Sequence, residues 1–199
     1  MKKILNIISS PRGNASYSIR LANTLIDRLR TAYPGSVVTT HDLTAVPFPH
    51  LEEVHIASFN TPAESRTDEY RDAIRHSDQA IQELMDADIV IIGAPMYNFG
   101  VPSTLKTWID HIVRAKKTFS YSEKGAEGLV KEKKVYLVVT SGGILSADGA
   151  SSFDFVVPYL RTILGFIGMT DITVVRAEGL AMPDKQVVAL EKAMESIVF

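Results

Sequence analysis

The segment Ser9-Ser10-Pro11-Arg12-Gly13-Asn14-Ala15-Ser16-Tyr17-Ser18 concentrates groups that bind anions. The apolar run Ile4-Leu5-Asn6-Ile7-Ile8 precedes it and an amphipathic helical pattern follows. A strand therefore ends in a hydroxyl-rich turn, and the turn opens a helix. Free N–H groups at a helix start, the positive end of the helix dipole and serine hydroxyls together suit a phosphate. Ser10, Ser16 and Ser18 supply the hydroxyls, with Tyr17 between the last two. Ser and Asn are also ordinary N-cap residues, so this segment alone does not separate a phosphate site from a helix cap.

Two more loops have chemistry of their own. Gly93-Ala94-Pro95-Met96-Tyr97-Asn98-Phe99-Gly100-Val101-Pro102 is stiffened by prolines and carries two aromatics. A loop this apolar suits a flat, polarisable ring, or else it packs over the sheet. Thr140-Ser141-Gly142-Gly143-Ile144 pairs two glycines, whose backbone N–H groups can approach a ligand without side chains in the way. A tight turn would use the same glycines. No Gly-x-Gly-x-x-Gly follows the first strand and no Gly-Lys-Ser/Thr loop exists, so dinucleotide and nucleoside-triphosphate fingerprints are absent.

Each loop follows a run that is apolar at nearly every position: Ile4 to Ile8, Ile89 to Ile92, and Val135 to Val139. Such runs predict strands buried on both faces of a parallel sheet. Val37 to Thr40 and Ile172 to Val175 are two weaker strands. Between them run helical patterns: Ala22 to Ala32, Ala73 to Leu84, Leu105 to Ile112, Val156 to Ile167 ended by Gly168, and a last helix from Pro183 towards Val198. Alternating strands and helices imply right-handed crossovers and a doubly wound sheet. The expected fold is α/β and flavodoxin-like. It is a three-layer sandwich with helices on both faces of a five-stranded parallel sheet; five strands fit the order 2-1-3-4-5, which the sequence pattern alone does not fix. The chain, 1–199, reads as one domain. Ligands then bind at the carboxyl ends of strands 1, 3 and 4, where the three loops sit. Divided as phosphate, ring and polar ring-edge partners, they describe a flavin mononucleotide (FMN) site.

Ala94-Pro95-Met96-Tyr97-Asn98-Phe99, with Pro102-Ser103-Thr104-Leu105-Lys106 behind it, resembles the flavin loop of FMN-dependent NADH-azoreductases, which also act as NADH:quinone oxidoreductases. Leu164 to Asp171, Ala177-Glu178-Gly179, Thr118-Phe119-Ser120-Tyr121 and Gly128-Leu129 resemble further signatures of that family. The resemblance implies a homodimer with one non-covalent FMN per subunit and NADH as electron donor. Carried over by position, Ser10, Ser16, Tyr17 and Ser18 hold the ribityl phosphate. Met96, Tyr97, Asn98 and Phe99 line the isoalloxazine, and Ser141, Gly142 and Gly143 meet its pyrimidine edge. Phe119, Tyr121 and Phe166 line the substrate space, on segments that need not touch their own sheet edge. Several relatives carry Ser-Arg-Gly-Gly in the third loop, whereas this chain has Ser141-Gly142-Gly143 without the arginine. The implied reaction is ping-pong reduction of quinones or aromatic azo compounds by NAD(P)H. Its chemistry lies at flavin N5 and requires no catalytic acid, base or nucleophile from the protein. A flavodoxin-type electron carrier without small-molecule turnover is the alternative, although a net charge of −2 gives little steering towards a redox partner.

Composition restricts the rest. Charged residues make up 22% and hydrophobic ones 46%, as in soluble globular proteins. The charge balance leaves no nucleic-acid footprint. The chain has no cysteine, so disulfides, thiolate metal sites and cysteine nucleophiles are excluded. The absence of cysteine fits a reducing compartment. The start lacks a signal peptide's long apolar core and no run is long enough to span a membrane, so a cytoplasmic, membrane-free protein is expected. Histidines 41, 50, 55, 76 and 111 show no metal-ligand spacing. Asp148 with Ser151-Ser152 lacks the surrounding elbow of a hydrolase. Trp108 reads as core. Arg12 faces either the phosphate or solvent, and Lys116 to Lys134 reads as a mixed-charge solvated excursion.

Overall fold

The computed structural model describes residues 1–123, 125–146 and 150–197. The strands are β1 (Lys3–Ile8), β2 (Val37–Asp42), β3 (Ile89–Pro95), β4 (Phe119–Ser122), β5 (Gly125–Gly128), β6 (Lys134–Thr140) and β7 (Asp171–Ala177). The helices are α1 (Tyr17–Ala32), α2 (Glu53–Asn60), α3 (Asp68–Asp86), α4 (Ser103–Ile112), α5 (Val157–Phe166) and α6 (Pro183–Glu195). Five strands pair in parallel in the order β2-β1-β3-β6-β7. Numbered without the separate β4-β5 hairpin, this is the expected order 2-1-3-4-5.

Side-chain alternation along the sheet explains the layering. All seven residues of β3 are buried. Ile89 and Ile91 join Ile4, Tyr136, Val138 and Val175 against Leu21, Leu25 and Leu29 of α1 and Leu190 of α6. Val90 and Ile92 turn the other way, with Leu5, Ile7, Leu137 and Val139, against Ile81 and Leu84 of α3, Trp108 of α4 and Leu160 and Leu164 of α5. A strand with helices on both faces is apolar at nearly every position, Asn6 of β1 being the buried exception, which is why these runs were legible. Trp108 is core, as expected. Helix α5 stops at Gly168, whose φ of +108° favours glycine at a helix end.

Two elements differ from expectation. The stretch read as a solvated excursion contains the antiparallel β4-β5 hairpin, with Phe119 paired to Gly128 and Ser122 to Gly125. It is not solvated throughout, because Val130 N donates to Ile167 O at 2.8 Å and ties the hairpin's exit to the end of α5. Helix α2 was not expected at all. The last helix ends at Glu195; Val198, towards which it was expected to run, lies outside the described residues, as does Asp148. Among the described residues no helix is long and apolar enough to cross a membrane.

Candidate active site

The first loop is built as a receptor for negative charge. Ser10, Ser16 and Ser18 are all buried at the carboxyl end of β1. Ser16 caps α1, its Oγ accepting from Ile19 N at 3.4 Å, and stands 3.0 Å from Ser18 Oγ. The cap and anion readings therefore coexist at one residue. The N–H groups of Tyr17 and Ser18, in the first turn of a 16-residue helix, have no partner among the described residues. Unsatisfied first-turn donors and the helix dipole favour an anion there. Arg12 lines the same cleft, its guanidinium 5.4 Å from the Tyr17 ring centroid.

The second and third loops close that cleft. A cavity of about 330 Å³ is lined by Ser10, Ser16 and Tyr17, by Met96 and Tyr97, and by Ser141 and Gly142. The three strand ends chosen from sequence thus converge. Ser9 Oγ donates to Gly93 O at 2.6 Å, which fixes the first loop against the second. Met96 N donates to Thr140 O at 2.8 Å, fixing the second against the third. The N–H groups of Gly142 and Gly143 have no partner among the described residues. A Cβ on Gly142 would stand 3.2 Å from Ala181 Cβ, tighter than nearly all such contacts, so glycine preserves the close approach here.

Tyr97 and Gly100 exchange backbone hydrogen bonds of 3.0 and 2.9 Å around a two-residue turn. Asn98 and Phe99 within it have φ of 49° and 66°. Asn tolerates this left-handed region, whereas Phe is strained in it, and retained strain points to function. The turn holds the Phe99 ring half-exposed, 5.5 Å from Phe153. Beyond it opens a larger, mostly apolar cleft of about 1170 Å³, lined by Pro11, Pro47, Tyr97, Val101, Phe155 and Tyr159 among others. The donors for a phosphate lie in the smaller cleft, so size does not mark where a cofactor binds.

Phe119, Tyr121 and Phe166 are brought together, but away from this crevice. The Phe119 ring lies 4.6 Å from Phe166 and 5.6 Å from Tyr121. Helix α5 runs antiparallel to the sheet strands. Its first turn, at Pro158 and Tyr159, borders the larger cleft, and Phe166 closes its last turn at the opposite end. These three aromatics line neither cleft of their own chain.

Sequence reasoning missed contributions from the end of β7. Leu180 and Ala181 line the smaller cleft. Four backbone bonds lace the third loop to this segment: Ser141 N to Ala177 O, Gly179 N to Gly143 O, Leu180 N to Ser141 O and Ala181 N to Gly142 O. Nearby, Arg176 pairs with Asp154 at 2.6 Å and with Glu178 at 3.0 Å. Burial favours the neutral Asp154 carboxyl, but bonds from Arg176 and the Val157 and Val156 amides hold it below its ordinary value. Burial likewise opposes the Glu178 charge, and the Ser146 hydroxyl and amide with Arg176 outweigh it. Among the described residues no group of histidines and carboxylates is placed to hold a metal ion.

A parallel five-stranded sheet, an anion receptor after β1 and free backbone donors after β6 define a flavodoxin-like protein. The chain belongs to the family described as flavodoxin-like fold, which it matches over residues 2–198. It is 45% identical over 195 residues to the FMN-dependent NADH:quinone oxidoreductase of Mesorhizobium japonicum, covering 98% of this chain and 93% of that one. It is 49% identical over 179 residues to the protein of the same name from Aromatoleum aromaticum, covering 90% of this chain and 88% of that one. A solved azoreductase from Bacillus anthracis superposes with a TM-score of 0.90 at 29% identity, covering 98% of this chain and 96% of that one. An FMN-dependent NADH-azoreductase from the same species, solved with FMN, gives 0.87 at 25% identity, covering 98% and 97%.

Proposed function

We propose that this protein is an FMN-dependent oxidoreductase that takes electrons from NADH and passes them to quinones and aromatic azo compounds. The observation that carries the reading is the convergence of unpartnered donors at both ends of one crevice, in a chain close to enzymes of that name. The residues fit the cofactor. Buried Ser10, Ser16 and Ser18 with the free Tyr17 and Ser18 amides suit its phosphate, and Arg12 adds positive charge. Met96 and Tyr97 give the cleft a wall for the ring, with Asn98 and Phe99 on the turn beyond, while Ser141, Gly142 and Gly143 offer donors to its polar edge. Bound FMN supplies two-electron transfer between the nicotinamide and the acceptor.

The chain's own residues bind and orient. The crossed bonds from Ser9 to Gly93 and from Met96 to Thr140 hold the three loops in fixed relation, so the donors need not reorganise. No side chain is assigned a proton-transfer role. In this reading the whole chain, 1–199, is one domain that works in the cytoplasm as a homodimer with one FMN per subunit. The second copy supplies what a single chain leaves open. Its Phe119, Tyr121 and Phe166 roof the crevice that their own chain's α5 holds them away from. The half-exposed Phe99, Phe153 and Phe155 and the apolar cleft beside them form part of the contact. An obligate interface of this type buries more than about 2,000 Å² in total.

Steady-state kinetics of the purified yellow protein test the reading. NADH and NADPH are each varied at several quinone and azo-dye concentrations, with light scattering at the assay dilution. Parallel double-reciprocal lines and a dimer are expected. Bound flavin without turnover of any acceptor would favour the electron carrier, and intersecting lines would overturn a single shared face.

A further inference from the structure

The unpartnered Gly142 and Gly143 amides are useful only if their loop is held still, and the loop's own bonds do not account for that. Ser141 Oγ donates to Gly143 O at 2.8 Å, and the four ladder bonds attach the loop to residues 177–181. Those residues must themselves be anchored. Arg176, at the edge of β7, reaches Asp154 through one nitrogen and Glu178 through the other. Each carboxylate spends its second oxygen on a different segment. Asp154 Oδ1 accepts from the Val156 and Val157 amides at 3.0 and 3.1 Å, fixing the start of α5. Glu178 Oε2 accepts from Ser146 N at 3.1 Å and from its hydroxyl, fixing the stretch that leaves the third loop. Both carboxylate side chains are only 9% exposed, so these bonds work away from bulk screening.

We propose that Arg176 is the positioning residue of the ring-edge loop. Through Asp154 and Glu178 it locks β7, the 178–181 segment, Ser146 and the α5 start into one unit that fixes Ser141 to Gly143. This rests on the flavin reading above and deepens it. The guanidinium fork is essential, because one planar cation spans two carboxylates that a lysine ammonium engages one at a time.

The test uses purified holoprotein and its riboflavin-exchanged form, with flavin release followed by fluorescence on serial dilution. Arg176→Lys is expected to weaken FMN and riboflavin by the same factor, about tenfold for the loss of one charge-assisted bond. Ser16→Ala, at the phosphate end, is expected to weaken FMN and leave riboflavin unchanged. Ser146→Ala, at an exposed residue, is expected to weaken both flavins by a smaller equal factor. Arg176→Gln is expected to be worse than Arg176→Lys, because lysine restores one of the two pairings. A lower melting temperature in Arg176→Lys with both flavin affinities unchanged would overturn the proposal in favour of a purely structural pair. Loss of FMN affinity alone would overturn it by placing Arg176's action at the phosphate. Parent protein that holds no flavin at all would instead overturn the underlying reading.

Discussion

Replacing Gly128 by alanine should separate the two ends of the molecule. A Cβ built at Gly128 stands 2.2 Å from Gly168 N, 2.3 Å from Ile167 C and 2.5 Å from Gly168 Cα. Ordinary carbon contacts need about 3.5 Å or more, so β5 must retreat by over about an ångström. All three atoms are backbone and cannot swing aside. The retreat breaks the 2.8 Å bond from Val130 N to Ile167 O and leaves two buried polar groups unpaired. Overpacking and a lost buried bond together cost about 3 kcal/mol. For a chain of this size that lowers the melting temperature by about 6–12 °C. Gly165→Ala is the control. No atom crowds a Cβ there and the residue is inside α5, so alanine should stabilise by about 0.5–1 kcal/mol. Because the hairpin lies at the far end of α5 from the crevice, Gly128→Ala should keep its flavin while acceptor turnover falls. Calorimetry and flavin content of the two variants decide it. A Gly128→Ala protein melting within about 2 °C of the parent would refute the contact argument.

Other perturbations have equally definite outcomes. Ser16→Asp with Ser18→Asp places two carboxylates in the anion receptor and should yield colourless protein, as absorbance after purification will reveal. Tyr121→Ala removes a side chain that is 73% exposed in one chain, so stability should hold. If a second copy uses that ring, acceptor KM should still rise, by about tenfold at most for a lost stacking contact. His111 is buried with Nδ1 unpartnered and Nε2 3.0 Å from Pro49 O. Burial, and the positive potential of nearby His55 and Arg114 against Asp110 and the Pro49 carbonyl, hold its pKa below the ordinary 6.5. The neutral ring's contribution is then complete above pH 6.5 and is lost as pH falls towards the lowered folded value. Denaturant titrations should show stability declining as pH falls from 6.5 towards that value, and His111→Phe should flatten the slope.

The sheet was legible because its three inner strands are buried on both faces, which forces apolar residues at every position of Ile89 to Ile92. Helix α2 was hidden for the opposite reason: the residues it buries are His55 and Ser58, which give no hydrophobic signal. Its start is capped by Glu52, whose backbone N–H is met by His55 Nδ1 at 3.0 Å, an unusual pairing to read from sequence. The hairpin escaped notice because Ser120, Ser122 and Glu127 resemble solvated loop. At the site, strand ends marked the three loops: Ser10, Ser16, Tyr17, Met96, Tyr97, Ser141 and Gly142 line one cleft, whereas Asn98 lines the larger one and Ser18, Phe99 and Gly143 line neither. Leu180 and Ala181 were not found because they meet the third loop through backbone bonds that any side chain could accompany. Asp154 and Arg176 are brought together only by the β6-α5-β7 crossover.

Helix α5 gives each chain two addresses, one at its own crevice and one at the aromatic trio beyond the helix's other end. If the trio serves the partner's crevice, a defect at either address damages a different half of each active site. Subunits with the Ser16 and Ser18 carboxylates and subunits lacking Tyr121 would then complement one another. A mixed dimer gathers both defects into one site and leaves the other whole. In a one-to-one random mixture half of the dimers are mixed and one of their two sites is whole, so about a quarter of all sites would combine bound flavin with the parent acceptor KM, although neither variant alone has any.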